Sequence, residues 1–174
     1  TPTFYIERKI LLRDIVLYPN DVLTTPTKKV KKIDDELILL LDEMYQIIQE
    51  HDAIGLAANQ IGISKSVIVV ELDDETGLFE MINPEIVKHS GKSIDVEGCL
   101  SFPEIYGTVE RYEEVTIRYV DRDGYEMEVD ATDYLARAFQ HEIEHLKGQI
   151  FTDKIIEKIA PENLENYIKE NGYE

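Results

Sequence analysis

Two histidines and a glutamate, in His141-Glu142-Ile143-Glu144-His145, carry the clearest chemistry in this sequence. Residues four apart on an α-helix project from one face a turn apart, so His141 and His145 can bind a single metal ion together. Glu142 then lies beside that ion. A carboxylate there can take a proton from a metal-bound water and later return it to a leaving group, which is the chemistry of a metal-dependent hydrolase.

Such sites generally use three protein ligands and leave a position for water. A third histidine six residues after His145 is ruled out, because position 151 is Phe. Glu157, Glu162 and Glu165 are downstream carboxylates, and any of them as third ligand would make the chain a zincin-type endopeptidase. His51 and His89 are further candidates with no motif around either. Cys99, within Glu97-Gly98-Cys99-Leu100-Ser101, is the only cysteine, so no disulfide can form within the chain. A thiolate on a metal stays deprotonated at neutral pH, which is a reason to retain one cysteine. A metal-binding domain without catalysis is the remaining alternative.

The elements that must position these groups follow from periodicity. Thr132 and Asp133 are N-cap candidates for a helix running through Lys147, with Gly148 suited to end it. Leu135, Ala138, Phe139 and Leu146 make this helix apolar enough to be buried, and burial among strands would support its ligands rigidly. Residues 34–50 form a long amphipathic helix, with Leu37, Leu40, Leu41, Met44, Ile47 and Ile48 at helical spacing and acidic residues in the first turn. Residues 53–62 are small and apolar with Gln60 inserted, so another backbone can come close to a side-chain amide.

Strands are expected at 67–72, 79–82, 86–90 and 93–96, with Asn83-Pro84 as punctuation, and 115–120 and 125–130 make a hairpin. Tyr18-Pro19-Asn20-Asp21 reads as a turn, and Lys28 to Lys32 as a solvated basic loop. Pro161 suits the first turn of a short last helix ending near Gly172. The expected fold is α+β: antiparallel or mixed strands around a central buried helix bearing the metal motif, with a long N-terminal and a short C-terminal helix. Residues 1–174 are read as one catalytic domain, a length sufficient for a substantial core.

The formal charge of -18 opposes attraction to phosphate backbones and anionic lipid, so no direct nucleic-acid partner is expected. No apolar run approaches the ~20 residues of a membrane helix. The opening stretch from Thr1 to Asp14 lacks a long apolar centre and carries Glu7 and Asp14, which points to a cytoplasmic protein, or to an organelle protein after removal of a transit segment.

Three stretches in order resemble the signature motifs of the peptide deformylase family: Ala53-Ile54-Gly55-Leu56-Ala57-Ala58-Asn59-Gln60, Glu97-Gly98-Cys99-Leu100-Ser101 and His141-Glu142-Ile143-Glu144-His145. Tyr18-Pro19, Asn83-Pro84, Val109-Glu110-Arg111, Asp123-Gly124 and Gln140 are also similar to the family's flanking text. The chain departs from the usual pattern at Ala53, Asn59 and Glu144, where the family generally has Gly, often Pro, and Asp, and at Val22-Leu23-Thr24.

The resemblance implies removal of the formyl group from the formyl-methionine N-terminus of nascent peptides. It implies Cys99, His141 and His145 as ligands of one divalent ion, Fe2+ natively, with Zn2+, Ni2+ or Co2+ able to substitute. Glu142 would be the acid–base group, and Gln60 with the Leu100 backbone N–H would receive the oxyanion. Ile54, Gly55, Glu97 and Gly98 would flank an extended peptide, and Tyr134 and Arg137 would line the methionine pocket. Some relatives dock on the ribosome through a basic C-terminal helix. Residues 157–174 here hold two lysines against five glutamates, so weak or transient ribosome association at most is expected.

Overall fold

The computed structural model describes residues 11–170; Thr1, Glu7 and Gly172 lie outside them. Helix α1 (Asp35–Glu50) begins one residue later than the periodicity suggests, because Asp34 is its N-cap and accepts the Leu37 N–H at 2.9 Å. Its apolar stripe is buried at all six expected positions, each fully buried Leu or Ile contributing about 1.5–3 kcal/mol. The chain then enters β1 (Gly55–Ala57), a single 3-10 turn (Ala58–Ile61) and β2 (Val67–Glu71).

Two expected strands are one. Strand β3 (Leu78–Ser90) runs through Asn83-Pro84. Asn83 takes φ +51 at a shift of register against the neighbouring strand, so the pair makes a bulge and not an end. The Asn83 side chain then binds both backbone groups of Val30, each at 2.9 Å, which fixes the lysine-bearing segment against the central strand of the larger sheet.

Strand β4 (Ser93–Cys99) turns tightly into β5 (Phe102–Arg111). Strand β5 has no clear strand signature in the sequence because it contains Pro103 and Gly107, both unfavourable within strands. Gly107 is required there, since a Cβ would come within 2.5 Å of the Ile155 side chain.

Strands β6 (Glu114–Val120) and β7 (Glu126–Thr132) form the expected hairpin, and α2 (Asp133–Leu146) follows at once. Thr132 occupies the N-cap position but makes no side-chain capping bond, a correction to its expected role. Asp133, at φ +54, instead donates its N–H to Glu113 O. A short β8 (Lys158–Ile159), a 3-10 turn begun by Pro161 and α3 (Leu164–Glu170) complete the described chain.

All pairings within the two sheets are antiparallel: a five-stranded sheet ordered β1-β2-β3-β6-β7 and a three-stranded sheet ordered β4-β5-β8. Ala136, Phe139, Ile143 and Leu146 of α2 pack with Ile68, Val70, Met81 and Ile117 of the larger sheet. The opposite side of α2 faces the smaller sheet through Arg137 and His141, and this face builds the site.

Candidate metal centre and active-site cleft

The turn joining β4 to β5 brings Cys99 to the C-terminal half of α2. Cys99 Sγ lies 3.3 Å from His145 Nε2, which lies 3.2 Å from His141 Nε2, and the three donor atoms all fall within 4.8 Å of one another. Glu97 Oε1 sits 2.8 Å from His141 Nδ1. Glu97 there accepts the Nδ1–H, and in the neutral ring this leaves the Nε2 lone pair for a metal at the shared point.

The two imidazoles are shifted in opposite directions. Burial presses His145 toward the neutral form, and His141 adds to this. At His141 burial also opposes protonation, but hydrogen bonds to Cys99 and Glu97 outweigh it. One soft sulfur and two imidazoles suit a zinc-type or ferrous ion, so the donor set fits a divalent metal.

Glu142 is 4% exposed, and its Oε2 has no hydrogen-bond partner among the described residues. Its Oε1 is 3.8 Å from His141 Nε2. Burial pushes this carboxyl up to about 7, against the pull of His141. It is therefore poised to exchange a proton near neutrality.

The close passage of β1 depends on Gly55: a Cβ there would stand 3.0 Å from Glu142 Cγ. Gln60 is clamped by its own turn, its Oε1 accepting the Ala57 N–H at 3.0 Å. Its Nε2 is thereby aimed at Ser101 Oγ, at 3.2 Å, and Cys99 Sγ, at 3.4 Å. Leu100 lies at the β4–β5 turn and lines the same cleft.

A cavity of about 750 Å³ opens over these groups. Ile54, Gly55, Glu97, Gly98, Tyr134 and Arg137, expected to meet the peptide, all line it. Two of them have their charged ends engaged elsewhere. The Glu97 carboxylate receives Arg111 Nε and Nη2 at 2.9 and 2.8 Å and Arg137 Nη1 at 2.7 Å, in addition to His141. Arg137 also donates to Val109 O and Ser93 O, and both residues are buried. The pair thereby ties the helix to β4 and β5 while lining the cleft. Gly98 allows the Tyr106 ring to close over β4, since a Cβ would come within 2.7 Å of it.

The other ligand candidates are elsewhere. Glu157, Glu162 and Glu165 are exposed and do not join the cluster. His89 stacks on Tyr112 at 3.9 Å, and His51 is the C-cap of α1 at the cleft rim. Phe151 packs its ring 5.5 Å from that of His141.

Two residues met only as part of the family likeness, Arg111 and Asn59, support the site. Arg111 bridges the Glu97 and Glu144 carboxylates, with Nη1 to Glu144 Oε2 at 2.6 Å, and Lys154 also pairs with Glu144. The longer Glu144 thus serves two cations. Asn59 donates to the His145 carbonyl at 2.6 Å, fastening the end of α2 to the turn that carries Gln60. An arginine flanking a strand and an amide inside a small-residue run are signals only in retrospect.

The family model described as polypeptide deformylase matches residues 12–160. Peptide deformylase 1 of Bacillus subtilis is 44% identical over 153 residues, covering 88% of this chain and 96% of that protein. The crystal structure of peptide deformylase from Thermotoga maritima superposes with a TM-score of 0.80 at 36% identity, over 83% of this chain and 98% of that one. A Synechococcus elongatus peptide deformylase in complex with actinonin gives 0.79 at 37% identity, over 93% and 87%.

Proposed function

This chain belongs to the peptide deformylase family, whose reaction removes the formyl group from nascent peptides, and on that premise we propose how its own residues divide the work. Cys99, His141 and His145 would hold one divalent ion, Fe2+ natively, with Zn2+, Ni2+ or Co2+ as substitutes. When bound, such an ion supplies Lewis acidity and lowers the pKa of a water toward roughly 7.

Glu142 accepts the proton of the attacking water at Oε2, the atom no described residue engages. It then delivers that proton to the nitrogen of the departing methionine as the C–N bond breaks, and formate leaves. Gln60 Nε2 and the Leu100 N–H receive the charge that grows on the formyl oxygen; losing one such donor typically costs about 100- to 1000-fold in rate. Gln60 is suited to this because its other end is already fixed by Ala57, so little reorganisation is needed.

The peptide lies extended between the β1 rim at Ile54 and Gly55 and the β4 rim at Gly98, in the manner of an added strand. The methionine side chain enters beside α2, where Tyr134 lines the cavity. A formyl carbon bears only hydrogen, so a site closed by Gly55 and Glu142 discriminates against the bulkier acetyl group. The whole chain acts as one catalytic domain in the cytoplasm, with weak ribosome association at most, given its acidic C-terminal residues.

One observation carries this reading: a sulfur and two imidazole nitrogens meet beside a buried carboxylate with an unengaged oxygen. The test is formate release from formyl-Met-Ala-Ser set against the acetylated tripeptide. Release from the formyl peptide alone, abolished by chelation and restored by added Fe2+, is expected. Release from neither by metal-loaded protein would overturn the assignment of roles.

A further inference from the structure

Two short turns carry the donors assigned to the formyl oxygen: the 3-10 turn at Ala58–Ile61 holds Gln60, and the β4–β5 turn holds Leu100. Two direct contacts between them, from Gln60 Nε2 to Ser101 Oγ at 3.2 Å and to Cys99 Sγ at 3.4 Å, use the same amide nitrogen that the substrate oxygen requires. A hold that survives substrate binding must use other atoms. Residues 13–18 supply it. Val16 donates its N–H to Gln60 O at 2.7 Å, and Tyr18 donates its N–H to Ser101 O at 3.0 Å, so one segment spans both turns through backbone carbonyls that the reaction does not consume. Upstream, Arg13 donates its N–H to Glu43 Oε2 at 2.9 Å and its guanidinium pairs with the same carboxylate, which fastens the segment to α1. Downstream, the Tyr18 ring stacks on Phe102 at 5.0 Å, and Phe102 packs on Phe151, whose ring lies against His141. Leu17, between the two backbone bonds, lines the cleft together with Ile15.

We propose that Val16 and Tyr18 are positioning residues for deformylation: their N–H groups brace the Gln60 turn against the β4–β5 turn and so set the gap between the Gln60 amide and the Leu100 N–H. The proposal rests on the deformylase reading of the site. Both donors must reach one oxygen, so a change in that gap weakens one of them, and a misplacement of about 1 Å can cost about 100-fold in rate. One hydrogen bond is worth roughly 2- to 12-fold in an equilibrium. Removing the Val16 bond while the Arg13 and Tyr18 anchors remain should therefore lower kcat by roughly 3- to 10-fold. KM should stay nearly constant, because the oxyanion forms only after the peptide is bound.

The experiment replaces the Val16 amide by an ester in the metal-loaded full chain, by incorporating α-hydroxyisovaleric acid at that position, and measures formate release from formyl-Met-Ala-Ser. The exchange deletes the N–H and keeps the side chain. The same exchange at Val30, whose N–H binds Asn83 Oδ1 at 2.9 Å and which does not line the cleft, should leave kcat and KM unchanged. In Gln60→Ala, where residue 60 keeps its carbonyl, the Val16 ester should lower kcat by no more than about twofold further, since the brace acts through a side chain already removed. A loss of equal size in both backgrounds would mark a general structural role and overturn the proposal. An unchanged kcat, a loss confined to KM, or an equal loss from the Val30 ester would also overturn it and leave the deformylase reading standing. Hydrogen exchange on the unmodified protein needs no variant: the Val16 and Tyr18 amides should be protected, and unprotected exchange at either would overturn the brace. Absence of formate release by the unmodified protein would overturn the deformylase reading as well.

Discussion

Glu97 is the joint between the metal helix and the smaller sheet, and Glu97→Gln tests it while preserving shape. Its carboxylate takes hydrogen bonds from Arg111, Arg137 and His141, all at 2.7–2.9 Å and all in the interior. A neutral amide can accept fewer of these; it leaves Arg111 with Glu144 as its remaining carboxylate and Arg137 with the Val109 carbonyl and Ser93. Breaking a buried pair by removing one charge costs about 3–5 kcal/mol. At roughly 2–4 °C per kcal/mol for a chain of this size, the metal-free variant should melt about 6–20 °C below the wild type. His141 loses its charged Nδ1 partner, so affinity for the ion should fall about 10- to 100-fold, read by competition with a chelator of known affinity.

The same carboxylate also fixes a pH dependence. Burial would raise Glu97, but the hydrogen bonds from Arg111 and His141 outweigh it and hold the group far below the usual carboxylate range. A folded value below the unfolded one gives stability that is present above the unfolded pKa and lost as pH falls toward the folded one. The wild-type advantage over Glu97→Gln should therefore shrink steadily below about pH 4. A variant matching the wild type in melting temperature, acid profile and metal affinity would refute the reasoning.

Glu142→Ala should keep the bound ion and lose turnover by about 100- to 10,000-fold, measured as formate release beside metal content. Gln60→Ala should cut kcat/KM about 100- to 1000-fold, again with metal retained. Gly55→Ala places a methyl 3.0 Å from Glu142 Cγ. A displacement of a few tenths of an ångström there should lower kcat by roughly tenfold with the metal content unchanged.

Much of this site was legible in the sequence because its grammar is local. The i, i+4 spacing of His141 and His145 fixes a shared helix face, and the apolar stripe of α1 fixes its burial. Contacts between distant segments were not legible. Glu97 sits in the second motif like a substrate contact, and only the fold reveals that Arg111, Arg137 and His141 converge on it. Strand β5 was hidden by Pro103 and Gly107, whose unfavourable local preferences are overridden by pairing on both sides and by the need to admit Ile155. Asn83-Pro84 signalled an interruption correctly, but a bulge absorbs it without ending the strand. The departure at Glu144 became interpretable once Arg111 and Lys154 were seen on the same carboxylate.

The convergence of Cys99, His141 and His145 on one ion is most directly measured by X-ray absorption at the metal edge of the loaded protein. A scattering shell of one sulfur near about 2.3 Å with two imidazole nitrogens near about 2.0–2.1 Å is predicted for the zinc form, and Cys99→Ser should abolish the sulfur component. A shell of nitrogen and oxygen alone in the wild type, or a sulfur signal that persists in Cys99→Ser, would contradict it.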